Sequence, residues 1–400
     1  MNLRLTLALS AIALTLVGCD MPPKKDHLVE PVALRVATFN VSMDASNYLP
    51  YDQLQAQGAQ ALSTALADQH PQIQAIAEII QHVRPDILVL NEFDYLPEEQ
   101  GINVFMRDYL QQSQRGESPI EYPYVYLAPV NTGVASPYDL NGDGLAQGVG
   151  DDAWGFGWYP GQYGMAILSK YPIVAEQART FQNFKWKDMP GALAPVNPHT
   201  NEPFYSADIW QEFPLSSKSH WDVPVQVGGH QLHVLVSHPT PTVFDGEEDR
   251  NGRRNFDEIR FWADYINPLL SSYIYDDQGQ HGGLGEQRAF VIAGDLNASV
   301  ESADNVPGAI EQLLEHPLID ARDIPTTRGG ALHTPDNPLA ATHTASWRKR
   351  VDYVLPSVHG MEVIQSGVFW PTPDEPKAHL VENREASSDH RLVWIDIQLK

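Results

Sequence analysis

Phe290-Val291-Ile292-Ala293-Gly294-Asp295-Leu296-Asn297 decides how this chain is read. An apolar run meets a glycine, and an aspartate and an asparagine stand two apart just beyond it. On an extended segment residues i and i+2 face the same side, so both polar side chains are expected together at the end of a buried strand. The pattern recurs along the chain. Ala37-Thr38-Phe39-Asn40, Leu90-Asn91-Glu92, Val236-Ser237-His238 and Ser388-Asp389-His390 each put a carboxylate, amide or imidazole at or just past a strand-like run. Arg350-Val351-Asp352-Tyr353 lies just before the last of them. Oxygen ligands and histidines drawn from such distant segments suit a hard divalent cation that works on a phosphate ester.

The intervening sequence reads as alternating strands and helices. Leu34 to Val41 is a strand candidate ending at Asn40. Ile73, Ile76, Ile80 and Val83 recur at helical spacing, which predicts an amphipathic helix over Pro71 to Val83, closed by Pro85. Asp86 to Leu90 then leads to Glu92 as a buried strand, and further strands are expected over 232–236, 290–293, 351–355 and 393–397. Asn255 with Glu258 three residues on reads as a capping box, opening a helix whose apolar face uses Ile259, Trp262, Ile266 and Leu269. Elements mixed at this density indicate an α/β domain.

Two stretches, 97–162 and 180–223, exceed what such a core needs. Long loops in compact domains are usually functional or disordered, and the aromatic content here (Trp154, Phe156, Trp158, Tyr159, Trp186, Phe204, Tyr205, Trp210) favours order. They are expected to wall the mouth of the site and choose the substrate. Within the first, Asp139, Asn141 and Asp143 stand at alternate positions before Gly144, like the opening of a calcium loop. Gly150 occupies the twelfth position, where such a loop carries glutamate. A polar turn is the plainer reading.

The ordered set of motifs resembles the endonuclease/exonuclease/phosphatase superfamily, metal-dependent phosphoesterases that include DNase I-type nucleases, inositol-phosphate phosphatases and bacterial sphingomyelinases. Tyr163 to Ile173 adds a family-like segment, expected to be a strand pair around a turn. The resemblance covers most of Leu34 to Leu399 and implies a four-layer sandwich: two packed mixed sheets flanked by helices, with the site at one end. By that resemblance Glu92 is the principal metal ligand, Asn40 beside it supports the ion or a phosphoryl oxygen, and Asp389 lies towards the metal side, as a further ligand or as an acceptor behind the ligands. Asp295 orients and deprotonates the attacking water, and Asn297 holds the phosphate. Asp352 and His390 form a carboxylate–imidazole pair, and His238 contacts the phosphate or leaving group. Pro239-Thr240-Pro241 after His238 departs from the apolar residue usual in DNase I-type members, and Asn91 replaces the more usual glutamine. Arg254 and Tyr163 are candidates for substrate contact. Mg²⁺ is the expected cofactor, Mn²⁺ its substitute, with Ca²⁺ confined to the insertion turn.

Fifty-one acidic side chains face 26 basic ones, a formal charge of −25. A dedicated nucleic-acid-binding module neutralises phosphates with clustered cations, and that balance is missing here. The substrate therefore stays open among nucleic acid, phospholipid head group and small phosphate ester; a non-catalytic binding lipoprotein on the same fold is the contrasting class. At the other end, Arg4, the apolar run Leu5 to Leu14 and Leu16-Val17-Gly18-Cys19 read as a lipoprotein leader, with the sole cysteine as the lipidated residue. Residues 20–32 read as a tether and 33–400 as one catalytic domain. These features predict a monomer in a bacterial cell envelope, on the periplasmic side with Asp20 favouring the inner membrane, or on the extracellular face.

Overall fold

The computed structural model describes residues 31–400. The leader, Cys19 and most of the tether lie outside those residues. Among the described residues, eleven strands form two sheets. In chain order they are β1 (Val32–Met43), β2 (Ile87–Phe93), β3 (Tyr124–Tyr126), β4 (Met165–Ser169), β5 (Arg179–Thr180) and β6 (His220–Val227), followed by β7 (His230–Ser237), β8 (Ala289–Asp295), β9 (Asp352–Pro356), β10 (Met361–Val368) and β11 (Val393–Leu399). The first sheet runs β10-β11-β1-β2-β4-β3 and the second β5-β6-β7-β8-β9. Each holds one parallel pair at its heart, β1 with β2 and β7 with β8.

The strand-borne site residues sit at or near the shared end of these central strands. The register explains the convergence. Asn40 of β1 is level with Asn91 of β2, and Asp295 of β8 is level with Asp352 of β9.

In the core between the sheets, Val36 and Val89 of the first sheet and Trp221, Val225, Val234, Val291 and Ala293 of the second belong to one buried cluster. Helix α1 (Leu54–Ala67) and helix α2 (Pro71–Val83) cover the outer face of the first sheet. Burial of Ile73, Ile76, Ile80 and Val83 is what their spacing requires. Helix α3 (Arg250–Tyr265) covers the second sheet through Ile259, Phe261 and Trp262, joined by Phe181, Phe184 and Trp186 from the long 180–223 stretch. Helix, sheet, sheet and helix make four layers, the DNase I-like sandwich. Among the described residues, no helix is long and apolar enough to cross a membrane.

Three local readings are corrected. The segment from Tyr163 to Ile173 holds one strand, β4; beyond that strand Ile173 bridges to Val225 in the other sheet rather than pairing back. Helix α3 begins at Arg250, so Asn255 lies inside it and caps nothing. Its amide instead donates to the carbonyls of Thr240 (2.8 Å) and Leu296 (3.0 Å), while Glu258 accepts from the amides of Ser217 and Thr240, both at 2.6 Å. Residues spaced like a local cap thus make long-range bonds, and one helix face holds three loops of the site in place. Finally, β8 ends at Asp295, so the strand alternation assumed for Asn297 fails.

Gly294 shows how tightly the two central strands of the second sheet are drawn together. A Cβ at this position would stand 2.1 Å from the carbonyl oxygen of Ser237. Gly294→Ala is expected to cost about 3 kcal/mol or more of stability in urea unfolding, because the backbone cannot yield without breaking sheet bonds. Stability equal to the parent would disprove the close approach.

Candidate active site

Consecutive strand residues face opposite sides, yet Asn91 and Glu92 both serve the site. The reason is backbone conformation: Glu92 has φ of 55°, a left-handed kink near the end of β2. Asn91 accepts the amide of Asp295 at 3.1 Å and the hydroxyl of Thr38 at 3.3 Å, tying the two sheets together. Glu92, re-aimed by the kink, has a carboxylate oxygen within 4.8 Å of ligand atoms of His238 and Asp295.

A hydrogen-bonded run crosses the site. The Asn40 amide donates to Asp295 Oδ2 at 3.0 Å and lies 3.3 Å from His390 Nε2. His390 Nδ1 meets Asp352 Oδ2 at 2.9 Å, and its Nε2 stands 3.5 Å from Asp295 Oδ2. Asp352 is held by its own amide bond to the Thr344 hydroxyl, at 3.1 Å. On the opposite flank His238 Nε2 is also 3.5 Å from Asp295 Oδ2. Asp295 is therefore the hub, touched by an amide and two imidazoles.

The electrostatics follow from burial and neighbours. Burial, then Asp44, pushes Glu92 up to about 7. Burial, with Asp352 adding to it, pushes Asp295 up to about 6. For His390 burial acts downward, but the charges of Asp352 and Asp295 outweigh it and raise the ring to about 10, so it is an imidazolium at neutral pH. His238 moves the other way. Burial, helped by Lys218 and His390, holds it well below the ordinary range and keeps it neutral.

These values decide where an ion fits. Among the described residues, two groups of side chains have the required proximity, Glu92 with His238 and Asp295, and Asp295 with Asp352 and His390. In the second, Asp352 is committed to the imidazole. In the first, two carboxylates are raised by burial, which is the strain a divalent cation relieves. Glu92 and Asp295 would hold it, with His238 beside them.

Other expected residues fall elsewhere. Asp389 accepts from Ser42 Oγ at 3.2 Å and pairs with Arg384 at 3.5 Å, outside the ion-sized cluster. Asn297 has φ of 51°, its amide nitrogen bonds Asp295 Oδ1 at 2.9 Å, and its side-chain amide is given to the Pro239 carbonyl at 3.1 Å. It closes an Asx turn that orients Asp295 instead of lying beside it on a strand. Tyr163 lines the cavity over the site. Arg254 lines it too, but its Nε and Nη2 are spent on the carbonyls of Leu215, Trp154 and Pro214. Asp139 in the insertion turn accepts the amides of Gly142 and Gly144, both at 2.7 Å, and Asp143 accepts that of Leu145 at 2.8 Å.

Sequence reading missed Lys218, which is 5 % exposed beside the site. Nothing in Ser216-Ser217-Lys218-Ser219-His220 marks it as buried. It also missed Trp347, whose ring meets His390 edge-on with centroids 4.7 Å apart while 44 % of the residue stays exposed.

Residues 37–390 match the profile of the Endonuclease/Exonuclease/phosphatase family. The chain belongs to that family and is a hydrolase of phosphate ester bonds. Similar solved structures include an endonuclease/exonuclease/phosphatase from Beutenbergia cavernae DSM 12333, 17% identical, covering 92% of this chain and 72% of that one, TM-score 0.48. A family protein from Leptotrichia buccalis C-1013-b is 14% identical, covering 91% and 99%, TM-score 0.45. The human Nocturnin catalytic domain with bound sulfate anion is 13% identical, covering 93% and 98%, TM-score 0.43. No curated protein matches the chain.

Proposed function

We propose that this protein is a lipid-anchored, extracytoplasmic phosphoesterase that uses Mg²⁺ or Mn²⁺ and cleaves its substrate by in-line attack of water. The observation that carries the chemistry is the run Asn40–Asp295–His390–Asp352 with Glu92 beside it. Glu92 and Asp295 would hold such an ion, which would supply positive charge against the phosphoryl oxygens, and their hard oxygen donors suit Mg²⁺ or Mn²⁺.

The chain's own groups have distinct roles. Asp295, the carboxylate surrounded by the Asn40 amide and both imidazoles, orients a water and takes its proton. Asn40 holds the carboxylate in place with one amide hydrogen. His390, fixed by Asp352, keeps a positive charge where negative charge develops on the phosphoryl group. His238 stays neutral and offers an N–H to a phosphate or leaving-group oxygen without adding charge.

The test is hydrolysis of bis-p-nitrophenyl phosphate, p-nitrophenyl phosphate, plasmid DNA and sphingomyelin, with Glu92→Gln as the blank. Turnover is expected to vanish in EDTA and return with Mg²⁺ or Mn²⁺. Full activity after dialysis against chelator would refute the metal mechanism. The anchor is tested separately, by labelling of Cys19 with a radioactive fatty acid; the Cys19→Ala chain should take up none.

A further inference from the structure

A cavity of about 510 Å³ opens over Glu92 and His238. The long stretches identified from sequence build much of its wall, through Phe156, Tyr205, Phe213 and Lys218. Segment 240–254 supplies Phe244, Arg250 and Arg254. Its size falls in the range of roughly 300–1,000 Å³ typical of small-molecule sites.

Lys218 is the unexplained group in this wall. It is 5 % exposed, and its ammonium makes no hydrogen bond or ion pair with any described residue. Burial pulls Lys218 down from the usual lysine value, with Glu258 as the first carboxylate opposing it. Here the chain is fixed on both sides. Glu258 grips the Ser217 amide at 2.6 Å, and the Lys218 carbonyl accepts the Asn131 amide at 2.9 Å. Lys218 lines the same cavity as Glu92 and His238, and the carboxylates that act on it are Glu258, then Glu92 and Asp295.

The other cations of the wall differ. Arg250 pairs with Glu248 and Arg384 with Asp389. Arg254 meets three carbonyls and stacks on Phe213 at 4.8 Å, with no carboxylate in ion-pair contact. The wall thus carries two cations without a paired anion, in a chain whose net charge is −25. Nucleic-acid duplexes, with one charge per about 1.7 Å of axis, are met by extended tracks of cations. A single walled hole with aromatic sides suits something smaller.

We infer that the cavity selects a small phosphate ester, one phosphoryl group carrying a single apolar or aromatic group, and that Lys218 holds the phosphoryl oxygens. The ester's organic part lies among Phe156, Tyr205 and Phe213. This rests on the phosphoesterase reading above and adds the substrate class to it.

The test uses the full chain with Mg²⁺ and three substrates: p-nitrophenyl phosphate, a short DNA duplex and sphingomyelin vesicles. The value of kcat/KM is expected to be at least about tenfold higher for the small ester than for either of the others. Lys218→Met should lower it about 30-fold, mainly through KM, and Lys218→Arg should recover most of the loss. A lysine that only supported the fold would show neither the KM effect nor the rescue. Melting adds a readout free of turnover: millimolar inorganic phosphate should raise the parent's Tm and leave that of Lys218→Met unmoved. An unchanged KM in Lys218→Met, or preference for duplex or vesicle, overturns the inference while leaving the phosphoesterase reading intact. A phosphate-induced Tm rise lost in Lys218→Met, without Glu92-dependent turnover of any substrate, retains Lys218 as the anion-binding group and overturns the phosphoesterase reading and substrate class instead.

Discussion

Glu92→Gln is expected to abolish turnover, by about a thousandfold or more, and in the same stroke to make the metal-free protein harder to unfold at pH 8. The two effects share one cause. Burial and Asp44 raise the Glu92 carboxyl from 4.5 to about 7, so the folded chain holds a proton that the unfolded chain releases. Stability from this group is complete below pH 4.5 and is lost as pH rises through about 7. At pH 8 the parent carries the whole penalty, and the amide carries none.

Because Glu92 opens onto the cavity, solvent softens the penalty, and about 1–2 kcal/mol is the expected gain. Asp295 behaves in the same sense between 3.8 and about 6 and is present in both proteins, so both should lose stability from pH 4 to 6. Between pH 6 and 8 the parent should fall further than the variant. Melting in EDTA at pH 6 and pH 8 measures this. A variant that melts below its parent at pH 8, or that keeps a tenth of the parent's turnover, would remove Glu92 from the role given to it.

How much of the fold and site is legible in the sequence depends on whether a residue's partners are local or distant. The helix over Pro71–Val83 is readable because Ile73, Ile76, Ile80 and Val83 repeat at a period only a helix satisfies, and a proline soon follows. The strand ends bearing Asn40, Glu92, His238 and Asp295 are readable because polar groups break apolar runs at the same place in each. Asn255 and Glu258 mislead for the opposite reason. Their three-residue spacing imitates a cap, while their partners, Thr240, Leu296 and Ser217, are distant in sequence. Asn297 is misplaced when strand alternation is extended past the end of β8. Lys218 leaves no trace at all, since a lysine among serines looks like surface until the insertions close over it.

Asp352→Asn tests the other half of the site, and its clearest signature is in the pH profile. In the parent, Asp352 and Asp295 together overcome burial and hold His390 protonated up to about 10. That raised value is also a stability statement: the contribution is complete below 6.5 and is lost as pH climbs through about 10. Removing the Asp352 charge takes away the stronger of the two carboxylate influences on the ring. The new amide can also donate to Nδ1, which forces the ring proton onto Nε2 in a neutral tautomer. His390 then lacks the charge that the developing phosphoryl oxygens need, and kcat is expected to fall about 10²–10⁴-fold. The residual activity should lose its basic limb at a lower pH than the parent, whose profile stays level in this group through pH 9. Profiles of kcat/KM from pH 6 to 10 separate this from simple damage, because a loosened fold lowers the rate at all pH values without moving the limb. A basic limb that does not move would mean that the charge on His390 is not what Asp352 supplies, and the pair would be reduced to a positioning contact. The prediction is sharp because Asp352 is buried and both its carboxylate oxygens lie within hydrogen-bond reach of His390 Nδ1, at 3.1 and 2.9 Å.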